Sequence, residues 1–542
     1  MHIVFLILFF IYFLFLGRGL VFLSNYFFKN FSINDNSEFF DTPIYIYYPL
    51  IGVIFFGNIS FILNFFIPLK NVFVVLTISL VLLGNFLNKL NVHNFRLMNI
   101  IMFINLLILA ISSYDINFQY DAGYYHLDYQ NWLREEKIVF GLSNLNGAFG
   151  TSSMIDYISA PLWINGNLIL LHYLSLLFIV VLSNFFMYHI FTRKNDYFFM
   201  TSLFLLAFAF LDNFGMNGGR NGFFTIHGIV KPDIAQGVVF YLASIFLTYL
   251  FIENKFNKKE LIFLNLLIIF AYQLKISSAL LFIFFLLILF RSRIISVKVL
   301  VQTNLLLLFW LIKNVLLTGC LVYPVSLTCI NTPWFNSDTV IGLKNVTADF
   351  NNSYLISTSF VLWFKDWILI DINKTVTYNF IISFLIVLIF KLLFTTSNGK
   401  KDIEKYFIPT LFIFANLFLW IIGAAHPRFI YGVCAYMITL LCINYKIVRF
   451  KKVLILENRV FLSLLFISIV LIPRVNSYKT FLEDPLKEIE ISVPETKYIE
   501  IENGWVMPAN GDQCWVNLKC IPYKKMLHKS TYFGFNSYEV KS

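Results

Sequence analysis

Charge is scarce in this chain of 542 residues: Asp, Glu, Lys and Arg make up 13% of it, about half the share found in an ordinary soluble domain. With 59% of the residues hydrophobic, that scarcity excludes a water-soluble globule. Strands that alternate apolar and polar residues over about ten positions are missing as well, which excludes a transmembrane β-barrel. No basic n-region precedes the first apolar run, and no A-x-A-like cleavage site follows it, so the run from Ile3 is expected to stay as a helix rather than leave as a signal peptide. The order GxxxxGK[ST] is absent, so there is no P-loop. Without a D-x-D pair or a CxxC beside paired histidines, a metal site ranks low.

What the chain does have is apolar runs of fifteen or more residues, recurring from Ile3 almost to Pro473. A continuously apolar run of this length reads as a membrane helix. Breaks at charge, Pro and Gly divide the chain into about fourteen candidate spans, so the expected class is an all-α, polytopic transmembrane bundle. The spans around Leu261 to Gln273 and Ser277 to Phe290 are parted only by Lys275, which leaves a tight hairpin or one broken helix. The net charge of +11 would point to nucleic acid in a soluble protein, but here it follows the membrane. Placing the loops around Arg18, Lys89, Arg193, Lys255, Arg291, Lys400 and Lys446 on one side collects about twice the basic residues in about half the length. That side is expected to be cytoplasmic in a bacterial inner membrane, with both termini extracytoplasmic and no nucleic-acid partner.

Residues 1–473 then form the membrane domain, with outer segments 114–160, 213–232 and 318–377, and residues 474–542 form a small, ordered extracytoplasmic tail. Cys320 with Cys329 and Cys514 with Cys520 fall on this outer side, where thiols can be oxidised, so two local disulfides are expected. Cys434 and Cys442 sit inside an apolar span, as buried free cysteines commonly do.

Polar residues concentrate in YDAGYYHLDYQNWLREEKIVFGLSNLNGAFG. On a regular helix Asp121, Tyr125 and Asp128 fall at i, i+4 and i+7, one face, with His126 and Gln130 close to it. That face lines a polar site, or else its aromatics form an interfacial belt. The second outer segment, GMNGGRNGFFTIHGIVKPD, offers Arg220, His227 and Lys231 as donors to an anionic group such as phosphate. Asp233 opens the next helix, where capping competes with a functional role. Lys275, Lys313 and Arg428 lie at outer ends of spans, where they do not serve the positive-inside rule; each alone could snorkel to lipid phosphate, whereas three together point to a shared purpose.

The runs YDAGYYHL, NWLREEKIVFGLSNLNGAFG, KPDIA, LKISS, WLIKNVLLTGCLVYPVSLTC, HPRFIYG and GDQCWVNLKCIPY resemble a group of bacterial membrane proteins distantly similar to GT-C glycosyltransferases. The resemblance spans most of the chain. It implies transfer of a sugar from a polyprenyl-phosphate donor to a glycan, lipid or protein acceptor on the outer face of the membrane. It also implies that Asp121 is the loop acid, with Arg220, Lys231, Lys275 or Arg428 neutralising donor phosphate. Tyr125, His126, Asp128, Asp233 and Lys313 complete the expected binding set, and no cofactor is expected. The departure from the group's pattern is that the acid follows several spans instead of one and is not paired. The alternatives are a transporter, flippase or polymerase-like translocator of lipid-linked sugars, or a non-catalytic assembly subunit. A translocator would show internal repeats and ionisable residues near the midplane.

Overall fold

A computed structural model describes the whole chain apart from residues 1, 28–32, 71, 87–96, 112–113, 115–117, 119, 164–165, 215–231, 294–296, 350–358, 398–402, 442–444, 448–474, 486–490, 502–503, 525–526 and 541–542. The apolar runs form helices, because a segment removed from water must satisfy its own backbone N–H and C=O groups. In chain order these are α1 (His2–Phe27), α2 (Tyr48–Asn64), α3 (Val72–Phe86), α4 (Leu97–Ile111), α5 (Leu127–Glu135), α6 (Met154–Ser159), α7 (Ile169–Thr192), α8 (Asp196–Phe214) and α9 (Pro232–Glu253). They continue with α10 (Lys258–Leu274), α11 (Leu280–Ser292), α12 (Val297–Thr318), α13 (Ser337–Asp349), α14 (Phe360–Leu369), α15 (Asp371–Phe394), α16 (Ile403–Gly423), α17 (Tyr431–Leu440) and α18 (Val475–Glu483). Short strands pair antiparallel two by two: β1 (Glu38–Phe39) with β2 (Thr42–Pro43), β3 (Thr395–Ser397) with β4 (Tyr445–Ile447), β5 (Tyr498–Glu500) with β6 (Val506–Pro508), and β7 (Leu527–Tyr532) with β8 (Phe535–Val540). The fold is mostly helical.

Among the described residues five helices are long and apolar enough to cross a membrane, over His2–Asn25, Ile169–Thr192, Pro232–Glu253, Asp371–Ile389 and Lys405–Gly423. Six further apolar helices are shorter, so length alone does not yield about fourteen spans. The span expected near Val460 lies outside the described residues. Polar breaks shorten the helices: α10 stops where Lys275 turns to extended backbone (φ −161°, ψ 135°), and a 3-10 turn at Ile276–Ser278 leads into α11. The Leu261 and Ser277 runs are thus two helices, both packed on α9.

Burial separates the centre from the rim. α7 and α9 are buried over most of their length, whereas α15 and α16 turn Leu385, Ile389, Leu392, Phe414 and Phe418 outward. A helix that exposes apolar residues over that length suits contact with lipid rather than water. α1 crosses α2 backbone to backbone: a Cβ on Gly17 would lie 1.9 Å from the Tyr48 carbonyl oxygen, and one on Gly52 would lie 2.3 Å from that of Phe13. Any side chain at either glycine would part the two helices, whose close approach depends on small residues as membrane crossings commonly do.

α9 and α10 define two ends. At the end where they connect, Glu260 accepts the Phe40 N–H at 2.7 Å, Asn195 donates to Asp41 at 2.6 Å, and Lys194 pairs with Glu38. The β1–β2 turn and the basic connections after α7 and α9 therefore share one end. The first turn of α9 and the last turn of α10 lie at the other, one helix length away. The 22 residues of α9 rise about 33 Å, close to the ~30 Å hydrocarbon core of a bilayer.

The C-terminal tail is joined closely to that second end. Tyr538 donates its N–H to the Phe140 carbonyl at 3.1 Å, Trp515 to that of Gly123 at 2.9 Å, and the Asn131 side chain donates to the Val516 carbonyl at 2.7 Å. Gly123 is required at its position because a Cβ would stand 2.8 Å from the Trp515 ring. Cys514 and Cys520, beside Trp515, sit at disulfide distance, as do Cys320 and Cys329. Cys434 is buried and free, and Cys442 lies outside the described residues.

Candidate functional site

The segment from Tyr120 to Glu135 is helical but not uniformly so: Ala122–His126 make a π turn before the regular α5. An i→i+5 turn takes in one residue more than an α turn and rotates everything after it. The face expected for Asp121, Tyr125 and Asp128 is thereby divided. Asp121 begins the π turn without using its carboxylate as a cap, and Tyr125 stays beside it. Asp128 turns into the fold at 1% exposure with its Oδ1 unpartnered, and burial pushes its carboxyl well above the usual range.

Asp121 meets residues far along the chain. Its Oδ2 accepts Nη1 of Arg428 at 2.8 Å, across 307 positions of sequence. Arg428 Nε faces Oδ2 of Asp233 at 4.0 Å, and Asp233 Oδ1 accepts Lys275 Nζ at 2.7 Å. Acid and base alternate from Asp121 through Arg428 and Asp233 to Lys275, and the formal charges of these four described residues sum to zero. The Phe429 ring backs both cations, with Lys275 Nζ 3.3 Å and the Arg428 guanidinium carbon 4.8 Å from its centroid. Cations held over an aromatic face gain about 0.5–2 kcal/mol.

Each member is placed by local structure. Asp233 lies in the first turn of α9, where the helix dipole favours a carboxylate. Lys275 follows directly on α10, so its side chain leaves the helix end instead of lying along the barrel. Arg428 sits in the 3-10 turn Pro427–Phe429, whose preceding His426 accepts the Arg428 N–H through its ring at 3.2 Å. Two tryptophans brace that turn, Trp367 donating to the Ala425 carbonyl at 2.6 Å and Trp420 to that of His426 at 2.9 Å.

Electrostatics sets the cations apart. Burial works against the charge of Arg428, but the carboxylates of Asp233 and Asp121 outweigh it and hold its pKa above the ordinary value. Burial pulls Lys275 below its ordinary value despite Asp233, with Arg428 adding to the effect. Burial, then the Asp121 carboxylate, pushes the Tyr125 phenol well above its usual range, so it stays a neutral hydroxyl.

His126, Gln130 and Lys313 belong to a second, buried network. Asp156 Oδ1 lies 2.8 Å from His126 Nδ1 and accepts Gln130 at 3.1 Å, while Oδ2 accepts the Ser153 N–H at 2.9 Å. Lys313 donates to Ser152 Oγ at 3.0 Å and stands 3.6 Å from the Trp310 ring centroid. The Tyr125 ring lies against the His126 ring, centroids 4.0 Å apart and planes tilted by 35°, so the two networks adjoin there. Of the three cations at span ends, Lys275 and Arg428 converge, whereas Lys313 goes elsewhere. Arg220 and Lys231 lie outside the described residues.

Sequence reasoning passed over Asp156 and Phe429. Asp156 carried a legible signal, since Ser153 and Asp156 close a capping box at the start of α6. Asp512 of the tail, accepting the Tyr120 hydroxyl at 2.6 Å, had none. Among the described residues no three of His, Cys, Asp and Glu come together as a metal could require. What the arrangement offers is a carboxylate ion-paired to a guanidinium, a second carboxylate holding that guanidinium and an ammonium, and a neutral phenol beside them. Such a set can take a proton at one point and meet an oxyanion at another.

A mostly helical chain with membrane-length apolar helices and an ionic cluster at one end is the class these features define. Residues 1–435 match the family described as a domain of unknown function (DUF8201), and the chain belongs to that family. The matched stretch contains Asp121, Asp233, Lys275 and Arg428. No curated protein and no solved structure matches the chain.

Proposed function

We propose that this protein is a membrane glycosyltransferase that moves a sugar from a polyprenyl-phosphate donor to an envelope acceptor at the outer face of the bacterial cytoplasmic membrane. The observation that carries the reading is the convergence of Asp121, Arg428, Asp233 and Lys275, from four distant segments, at the end of α9 and α10 opposite the basic connections. In this reading that basic end is cytoplasmic, both termini are extracytoplasmic, and the shorter apolar helices complete about fourteen spans.

Asp121 takes the proton of the acceptor hydroxyl as its oxygen bonds to the anomeric carbon. The bond from that carbon to the donor phosphate breaks, and its electron pair leaves on the phosphate oxygen. Arg428 and Lys275 stabilise that charge, as preorganised cations do at a developing anion. A prenyl chain needs apolar surface next to the charged site, which a bundle with exposed apolar helices supplies. The test is to profile lipid-linked glycans with wild type and Asp121→Asn at equal membrane abundance. Turnover lower by roughly two to four orders of magnitude is expected for loss of a general base; unchanged output would overturn the reading.

A further inference from the structure

The two carboxylates of the cluster are not equivalent. Asp233 is the more buried, its side chain 10% exposed against 27% for Asp121, and it faces both cations. Among the described residues Asp121 is ion-paired only with Arg428, and it is the more exposed of the two acids. Arg428 is not saturated by this pairing, since its buried Nε makes no hydrogen bond. We infer that Asp121 is a displaceable counter-ion occupying the place of an oxyanion, and that Arg428 and Lys275, positioned by Asp233, form a site for a phosphate group that opens when Asp121 leaves or is neutralised.

The charge balance gives the reason. Among the described residues two carboxylates and two cations balance, so a phosphate added to them would bring net negative charge at short range, which is unfavourable away from bulk water. Loss of one carboxylate charge balances a singly charged phosphate and lessens the excess left by a doubly charged one. The inference rests on the transferase reading for one consequence: when Asp121 accepts the acceptor's proton it becomes neutral as negative charge collects on the departing phosphate. Protonation of the base and binding of the leaving group are then one coupled event.

Asp121→Asn imitates the neutral carboxyl, which makes the inference testable by binding alone. Full-length protein in lipid nanodiscs is titrated with inorganic phosphate and with farnesyl phosphate. Asp121→Asn should bind at least tenfold more tightly than wild type, Asp233→Asn more weakly, and Arg428→Ala more weakly still. A gain for both probes assigns a free phosphate group as sufficient; a gain confined to farnesyl phosphate assigns a lipid headgroup; either supports the counter-ion role. Unchanged or weaker binding by Asp121→Asn overturns it, and leaves the transferase reading to be judged on glycan output alone. If Asp121→Asn does not fold, Asp121→Ser supplies the test: farnesyl phosphate should protect Arg428 from phenylglyoxal, followed by peptide mass, more strongly than in wild type, and equal or weaker protection overturns the inference.

Discussion

A double-mutant cycle on Asp121 and Arg428 tests whether segments 307 residues apart are joined as described. The bond is short, 2.8 Å, and its partners are 27% and 33% exposed. That exposure decides the magnitude. A solvent-exposed ion pair contributes about 0–1 kcal/mol, and breaking a fully buried one costs about 3–5 kcal/mol, so an intermediate coupling of about 1–2 kcal/mol is expected. The single variants should differ. Asp121→Ala leaves Arg428 facing Asp233 and should cost about 1 kcal/mol, whereas Arg428→Ala leaves two carboxylates sharing one ammonium and should cost about 2–3 kcal/mol. Thermal unfolding in nanodiscs, under conditions where refolding is complete, supplies the four free energies. A coupling below about 0.3 kcal/mol is what independent sites show, and would refute the pairing. The Asp233–Lys275 pair, less exposed at 10% and 24%, should give a larger coupling in the same assay.

Other consequences follow from single residues. Asp128 holds in the folded state a proton that the unfolded chain releases near its ordinary value of 3.8, so its contribution to stability is present below that value and is lost as pH rises through the raised folded one. Asp128→Asn should remove this slope and stabilise the protein by about 1–3 kcal/mol at neutral pH, checked by unfolding at pH 4 to 8; an identical slope in the variant would refute the assignment. Gly123→Val should drive its side chain into Trp515 and loosen the tail by about 1–3 kcal/mol, seen as faster proteolysis between residues 491 and 540. Thiol labelling of unreduced, denatured protein should modify Cys434 and Cys442 only, and labelling of all six would reject both bridges. Tags in 193–196 and 255–259 should be reachable only from the cytoplasmic side, and external labelling of either loop would refute the orientation.

Hydropathy carried much of the architecture, because a long apolar run leaves the backbone little choice but a helix. It carried the number of spans less well. Lys275 shows why: hydropathy left a tight hairpin or one broken helix there, and the extended backbone at Lys275 with the 3-10 turn after it is what parts α10 from α11. The start of α6 was legible but passed over, since Ser153 and Asp156 cap it within four residues. Asp121 and Arg428 could be set at the same membrane boundary from their places at helix ends. Their pairing is a tertiary fact that no local pattern encodes.

Two residues with similar local sequence show where legibility stopped. Lys275 and Lys313 both sit near the ends of apolar runs, yet only Lys275 joins the ionic cluster. Lys275 comes after the last residue of α10, so its side chain extends past the helix end toward Asp233. Lys313 lies five residues before α12 ends at Thr318, more than a full turn inside, and a helical side chain at that depth folds back over the preceding turn, here onto Trp310 and toward Ser152. The same sensitivity to one turn governs the acids. On a regular helix Asp121 and Asp128 would share a face, and the extra residue in the π turn sends one to Arg428 and the other into the interior. A π turn has no reliable sequence signature, because its cost is met by what its residues reach. Here those contacts are Trp515 of the tail at Gly123, Asp156 at His126, and Arg428 at Asp121, all distant in sequence. The geometry of Asp121 is therefore set by the tail and the distal helices, and Trp515→Ala should lower the Asp121–Arg428 coupling measured by the double-mutant cycle, although among the described residues no hydrogen bond or ion pair joins Trp515 to the ionic cluster.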